Sequence, residues 1–268
     1  MKRAGNNKLS GKVMIVYGGA HPVSMGILRY LLAEDAVVIA PAESSHDIQL
    51  QKEYVADITT GRLVTLLTDM PVYEKYEEVN DAIIEKYGHI DMMVALFDGL
   101  RPVPGLLDAE STSWQQVTDQ MTVYYACGRL MLQLMRRLKK GTFICVSNAT
   151  SLVPHGYNAL SNIGAAAITE MSRLFHRELK NTPVKFHHLL INNVDINDMN
   201  AQPVIHAGWI NPWMVGDYVM KLYEGTTEGG DMLFHSLLGK AFTNTTDNYQ
   251  YIPERNRYQQ GQLSERKG

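Results

Sequence analysis

Short runs of β-branched and aliphatic residues alternate with longer segments of helical periodicity along most of the chain, and few folds satisfy that alternation. The strand-like runs are "KVMIVY" (12–17), "AVVIA" (36–40), "LVTLL" (63–67), "DMMVALF" (91–97), "TFICVS" (142–147), "VKFHHLLI" (184–191) and "DMLFH" (231–235). Between them, Tyr76, Val79, Ile83 and Tyr87 recur at helical spacing, as do Trp114, Val117, Met121 and Tyr125. Strands apolar on both faces, each followed by a helix, imply a parallel sheet covered on both sides. The expectation is a single α/β domain over residues 1–240. It is a doubly wound, Rossmann-type parallel sheet of about seven strands with helices on both faces.

Composition excludes several partners. A formal charge of −3 gives no global attraction for nucleic acid or an anionic membrane. No stretch approaches the roughly 18 apolar residues of a membrane span, and "VMIVY" is too short for a signal-peptide core. Cys127 and Cys145 have no metal spacing and imply no disulfide framework, which suits a reducing, cytoplasmic setting. "RRLKK" (136–140) reads as the basic end of a helix. His187 and His188, adjacent on a strand, point to opposite faces and cannot chelate one ion, so no metal is expected. Residues 241–268 are polar with scattered tyrosines, a tail that is either loose or wrapped over a neighbouring subunit.

"LSGKVMIVYGG" followed by "SMGILRYLLAE" reads as strand, glycine turn and helix, the corner at which such folds receive a pyrophosphate. The chain here resembles the short-chain dehydrogenase/reductase (SDR) family. Gly18-x5-Ser24-x-Gly26 is similar to the longer phosphate loop of its divergent enoyl-acyl-carrier-protein reductase branch. The resemblance implies that Gly18 permits the tight turn. It gives Ser24 the role of offering hydroxyl and amide to phosphate, and Gly26 that of letting helix and sheet approach. His21, in the extra residues of the loop, is expected to face solvent. After the third strand, "LLTDMP" would place Asp69 and Met70 beside an adenine ring, and Asp69 reads equally well as a helix N-cap. Gly99 is what remains of the family's "NNAG". At the tip of the second strand stand Pro41 and Ala42, with Glu43 near. Neither the acid of an NAD site nor the arginine of an NADP site is at the usual position, so NAD(P) binding is implied without a preference.

The catalytic set of the family is a Tyr acid, a Lys that lowers its pKa, a Ser and an Asn. Here "AAAITEMSRLFHREL" aligns with the family helix so that Ala165 takes the Lys place and Ser161 the Tyr place. Asn148 stands thirteen residues before Ser161, at the Ser spacing, and Met121 fills the Asn slot. The Y-x6-K spacing of the divergent branch offers Tyr157, but Gly164 or Ala165 then holds the Lys place, and no Lys lies between Lys140 and Lys180. Asp98, Asn148, His155, Tyr157 and Ser161 are the polar residues left to that cleft, with 195–212 as its lid. They read either as acid–base groups for a bound small molecule or as loop and cap residues satisfying the backbone.

Three functions follow. One is a non-redox enzyme of isomerase, lyase or cyclase type using the old substrate cleft. Another is a retired regulatory or scaffolding subunit. The third is an atypical NAD(P)H-dependent oxidoreductase whose acid is Tyr157, Tyr124 or Tyr125. The resemblance also implies a homodimer or homotetramer through the fourth and fifth helices.

Overall fold

The computed structural model describes residues 7–68, 73–97, 105–107, 109–149, 159–192, 194, 209–227 and 232–237. Its elements are β1 (Val13–Tyr17), α1 (Pro22–Ala33), β2 (Val37–Ala42), α2 (Ser45–Tyr54), β3 (Arg62–Leu67), α3 (Tyr73–Tyr87), β4 (Met92–Phe97), α4 (Ser111–Leu138), β5 (Thr142–Asn148), α5 (Ala159–Glu178), β6 (Lys185–Ile191), α6 (Pro212–Glu224) and β7 (Phe234–Leu237). The seven strands form one sheet in the order β3-β2-β1-β4-β5-β6-β7, and every pairing is parallel. The strand order reverses between β1 and β4, the place where such a sheet opens a crevice for ligand. The 241–268 tail lies outside the described residues.

Strand periodicity sorts the core into two layers. Met14, Val16, Val38 and Val94 face α1 and α6, whereas Val13, Ile15, Met93 and Phe143 face α3, α4 and α5. All are within a few per cent of full burial, which is why the runs read as apolar without alternation. In α4, Val117 and Tyr124 are buried, while Trp114 and Tyr125 are about half exposed. The last strand differs from expectation: it spans 234–237 rather than 231–235, with Phe234 opposite His188. Apolar content alone did not show where the ladder begins.

β2 continues through Pro41, which its neighbours make possible. The Val37 amide donates towards β1 (Lys12 O, 2.9 Å), while Ala36 and Ala42 turn their carbonyls to β3. By alternation, residue 41 faces β1, whose pairing with β2 has already ended at Ile15↔Ile39. The missing N–H of Pro41 therefore costs no ladder bond.

Gly26 has a different purpose from the one expected. A Cβ there would lie 2.4 Å from the Pro212 backbone carbon, so the close approach is between α1 and the first residue of α6, not between helix and sheet. One turn further along α6, a Cβ on Gly216 would lie 2.5 Å from Tyr30 Cβ. Around this contact Tyr30 packs on Trp213 (4.8 Å between ring centroids), and its hydroxyl donates to Asp217 (3.0 Å). Gly26→Ala is expected to destabilise the fold by about 1–3 kcal/mol, since backbone must move to admit the methyl. Urea unfolding checks it, and an unchanged midpoint would mean that the helices separate freely.

Candidate functional site

The β1–α1 corner is built on Gly18, whose φ of +146° no L side chain adopts without strain, and Gly19 at +56°. A Cβ at Gly18 would also meet Ser24 Cβ at 2.9 Å and Leu96 Cβ at 3.0 Å. Pro22 opens α1, and His21 caps it: the ring Nδ1 accepts from the Val23 amide at 3.2 Å. His21 is thus half-buried at the loop, not a solvent-facing side chain. The Ser24 hydroxyl is also turned otherwise than expected. It lies 2.9, 3.1 and 2.8 Å from the carbonyls of Gly18, Gly19 and His21, and its single proton serves the loop itself. Two of the first helical amides are closed to an anion as well, because Pro22 has none and Val23 donates to His21.

In front of this corner lies a cavity of about 490 Å³, within the range of small-molecule and cofactor sites. The glycine turn and His21 form one wall and Pro41, Ala42 and Glu43 another. Gln116, Asp119, Gln120 and Val123 of α4 face them. Tyr17, Tyr76 and Cys127 form a buried floor. Burial pushes the ionisation of both phenols and of the Cys127 thiol well above their ordinary values, so none of them exchanges protons near neutrality. Glu43, Asp47 and Asp119 supply carboxylates, and no Lys or Arg lines the cavity among the described residues. Two of these acids also serve the fold: Asp47 sits in the first turn of α2, and Asp119 accepts from Gln115 (2.8 Å). Of these three acids only Glu43 had a sequence signal, one residue past the end of β2. The rest comes from helix faces that the sheet brings together.

The expected substrate cleft opens on the same carboxyl edge of the sheet. Asn148 is the last residue of β5, opposite Ile191, and Ser161 is in the first turn of α5. The Ser161 hydroxyl is buried with no hydrogen-bond partner among the described residues. Gly164 and Ala165, also on α5, are buried, and Met121 of α4 is half-buried. Asp69, Met70, Asp98, Gly99, His155, Tyr157 and most of 195–212 lie outside the described residues. Of the other candidate acids, Tyr124 is fully buried and bonded to Ser172 (2.5 Å), with its ionisation raised by burial. Tyr125 is half exposed on α4. Among the described residues no group of three or more His, Cys, Asp or Glu could hold a metal, and no helix is long and apolar enough to cross a membrane.

Just before Asn148, Ser147 Oγ lies 2.7 Å from His188 Nε2, both buried. Burial, reinforced by Arg173, pushes the His188 pKa down to about 3. Unfolded, the ring protonates near 6.5, so its neutrality costs nothing above that pH and costs progressively more towards pH 3. The stability of the wild type is expected to fall on the order of 1 kcal/mol per pH unit more steeply than that of His188→Gln between pH 6 and 4. Denaturant midpoints at each pH test this, and parallel curves would refute a neutral buried His188.

The family described as short chain dehydrogenase matches residues 12–204. A 2,3-dihydroxy-2,3-dihydro-p-cumate dehydrogenase of Pseudomonas putida is 25% identical over 174 residues, 63% of this chain and 67% of that one. Among solved structures, levodione reductase superposes with a TM-score of 0.73 at 13% identity, covering 86% of this chain and 97% of that one. A short chain dehydrogenase from Mycobacterium smegmatis gives 0.74 at 17% identity, covering 88% and 95%.

Proposed function

Because the chain belongs to the short-chain dehydrogenase family, we propose that it binds NAD(H) in the cavity before the β1–α1 corner and uses its substrate cleft for chemistry other than lysine-assisted carbonyl reduction. The observation that carries the first part is the cavity itself, with a glycine turn at one wall and an acidic rim at the other. The Gly18–Gly19 turn and the start of α1 would hold the pyrophosphate, and Glu43 at the tip of β2 would meet the ribose hydroxyls. Carboxylates accept hydrogen bonds and repel phosphate, so this rim suits an unphosphorylated ribose and opposes the 2′-phosphate of NADP(H). With the Ser24 hydroxyl and the Val23 amide engaged within the loop, the pyrophosphate receives fewer donors than the fold can offer. Binding is expected in the micromolar range rather than tighter.

The second part rests on α5. With Ser161, Gly164 and Ala165 in the places that the resemblance gives to tyrosine and lysine, no ammonium stands on that helix to lower a phenol's pKa. Bound NAD(H) supplies hydride exchange. This chain's own cleft supplies Asn148 and the Ser161 hydroxyl, which has no partner among the described residues; the two fit a polar small molecule and favour an isomerase-, lyase- or cyclase-type reaction. Hydride exchange with Tyr157 as acid is the second reading, favoured by the relatives, whose names are those of dehydrogenases and reductases. A homodimer or homotetramer would cover the exposed Trp114, Tyr125 and Leu174 of α4 and α5.

Titration with NADH and NADPH, followed by quenching of the three tryptophans, is the test. Micromolar binding of NADH with at least tenfold weaker NADPH is expected, and Glu43→Arg should reverse the order. Tenfold is about 1.4 kcal/mol, within reach of one charge reversal at the rim. No binding of either up to millimolar would overturn the proposal. Turnover of a carbonyl or enoyl substrate that disappears in Tyr157→Phe would establish the second reading.

A further inference from the structure

His187 of β6 lies on the α1–α6 side of the sheet, opposite to His188, and meets a histidine that the linear pattern did not pair with it. His187 Nδ1 is 3.2 Å from His235 Nε2 on β7, and the two rings meet edge to face with centroids 5.2 Å apart. A third atom joins them: the Met232 carbonyl oxygen lies 2.8 Å from His235 Nε2 and 3.3 Å from His187 Nδ1. Both histidines are buried, at 3% and 5% exposure, whereas Met232 is half exposed and places its end of the triangle at the margin of the sheet.

Counting protons shows what this triangle offers. The proton on His235 Nε2 serves the shortest contact, to the carbonyl oxygen. With its proton on Nε2, the tautomer that ligation through Nδ1 requires, His187 turns the Nδ1 lone pair towards the same shared space. Two nitrogens and one oxygen thus lie within 2.8–3.3 Å of one another. Two imidazole nitrogens bound to a single tetrahedral ion at 2.0–2.1 Å stand about 3.3 Å apart, close to the spacing found here.

We propose that His187 Nδ1, His235 Nε2 and the Met232 carbonyl form a divalent transition-metal site of the zinc class, joining β7 to β6, with water from the Met232 side as fourth ligand. No redox change is involved. As the ion enters, the His235 proton moves from Nε2 to Nδ1 and the ring stays neutral. Mixed imidazole and oxygen donors suit zinc, cobalt and copper rather than magnesium or calcium. The site stands apart from the nucleotide cavity, so it does not depend on the function proposed above.

Calorimetry of the metal-free full chain with Zn²⁺ is the test, with Co²⁺ absorption reporting four-coordination. One equivalent of zinc at micromolar strength is expected. His187→Gln and His235→Gln should each weaken it at least tenfold, and His46→Gln on the exposed start of α2 should leave it unchanged. No uptake by the wild type, or uptake that survives both substitutions, would show that the three atoms form a hydrogen-bonded strut only. Should the variants fail to fold, anomalous scattering from a zinc-soaked wild-type crystal decides. A peak bonded to both nitrogens supports the site, and a peak elsewhere or none overturns it.

Discussion

The backbone contact between α1 and α6 governs how this molecule holds its ligand-facing edge. Gly26 and Gly216 let two helices that are far apart in sequence touch through main chain. Once they touch, Tyr30, Trp213 and Asp217 have fixed partners. The first turn of α1 is the same turn that shapes the glycine corner, so its position over the sheet is set from behind by Pro212. A ligand at the corner therefore meets a helix end already braced, with little freedom left to reorganise on binding.

That bracing also explains why the corner is sparing with its donors. Pro22 and the His21 cap give α1 a well-defined start, and Ser24 ties the loop carbonyls together. Each device that makes the turn rigid uses a group that could have met a phosphate. The cavity in front is correspondingly polar at the rim and aromatic at the floor, with its phenols locked in their neutral form. The described lining thus offers hydrogen-bonding groups and negative charge and no Lys or Arg.

Much of the fold was legible in the sequence because buried parallel strands announce themselves as continuous apolar runs. "KVMIVY" and "DMMVALF" could hardly pack any other way. What the linear pattern could not give was side-chain direction at the loops. Ser24 and Gly26 were visible as a motif, yet whether a hydroxyl turns outward or a glycine faces sheet or helix is decided by the tertiary neighbours. That Tyr76 of α3 and Gln116 and Asp119 of α4 line one cavity was invisible for the same reason, since it depends on two helices whose relative rotation no single window reports. His187 and His235 met across a register that only the sheet defines. For the cleft, Asn148 and Ser161 came to the expected edge, while the other proposed acid–base groups lie outside the described residues.

Pro41 adds a last consequence. At the tip of β2 the main chain of that residue has no proton to give and offers only its carbonyl. Glu43 sits on an exposed position just beyond the strand. On the proposed NAD(H) reading, one substitution at Glu43 would change the charge of the cavity rim while the strand and the brace behind it stay as they are.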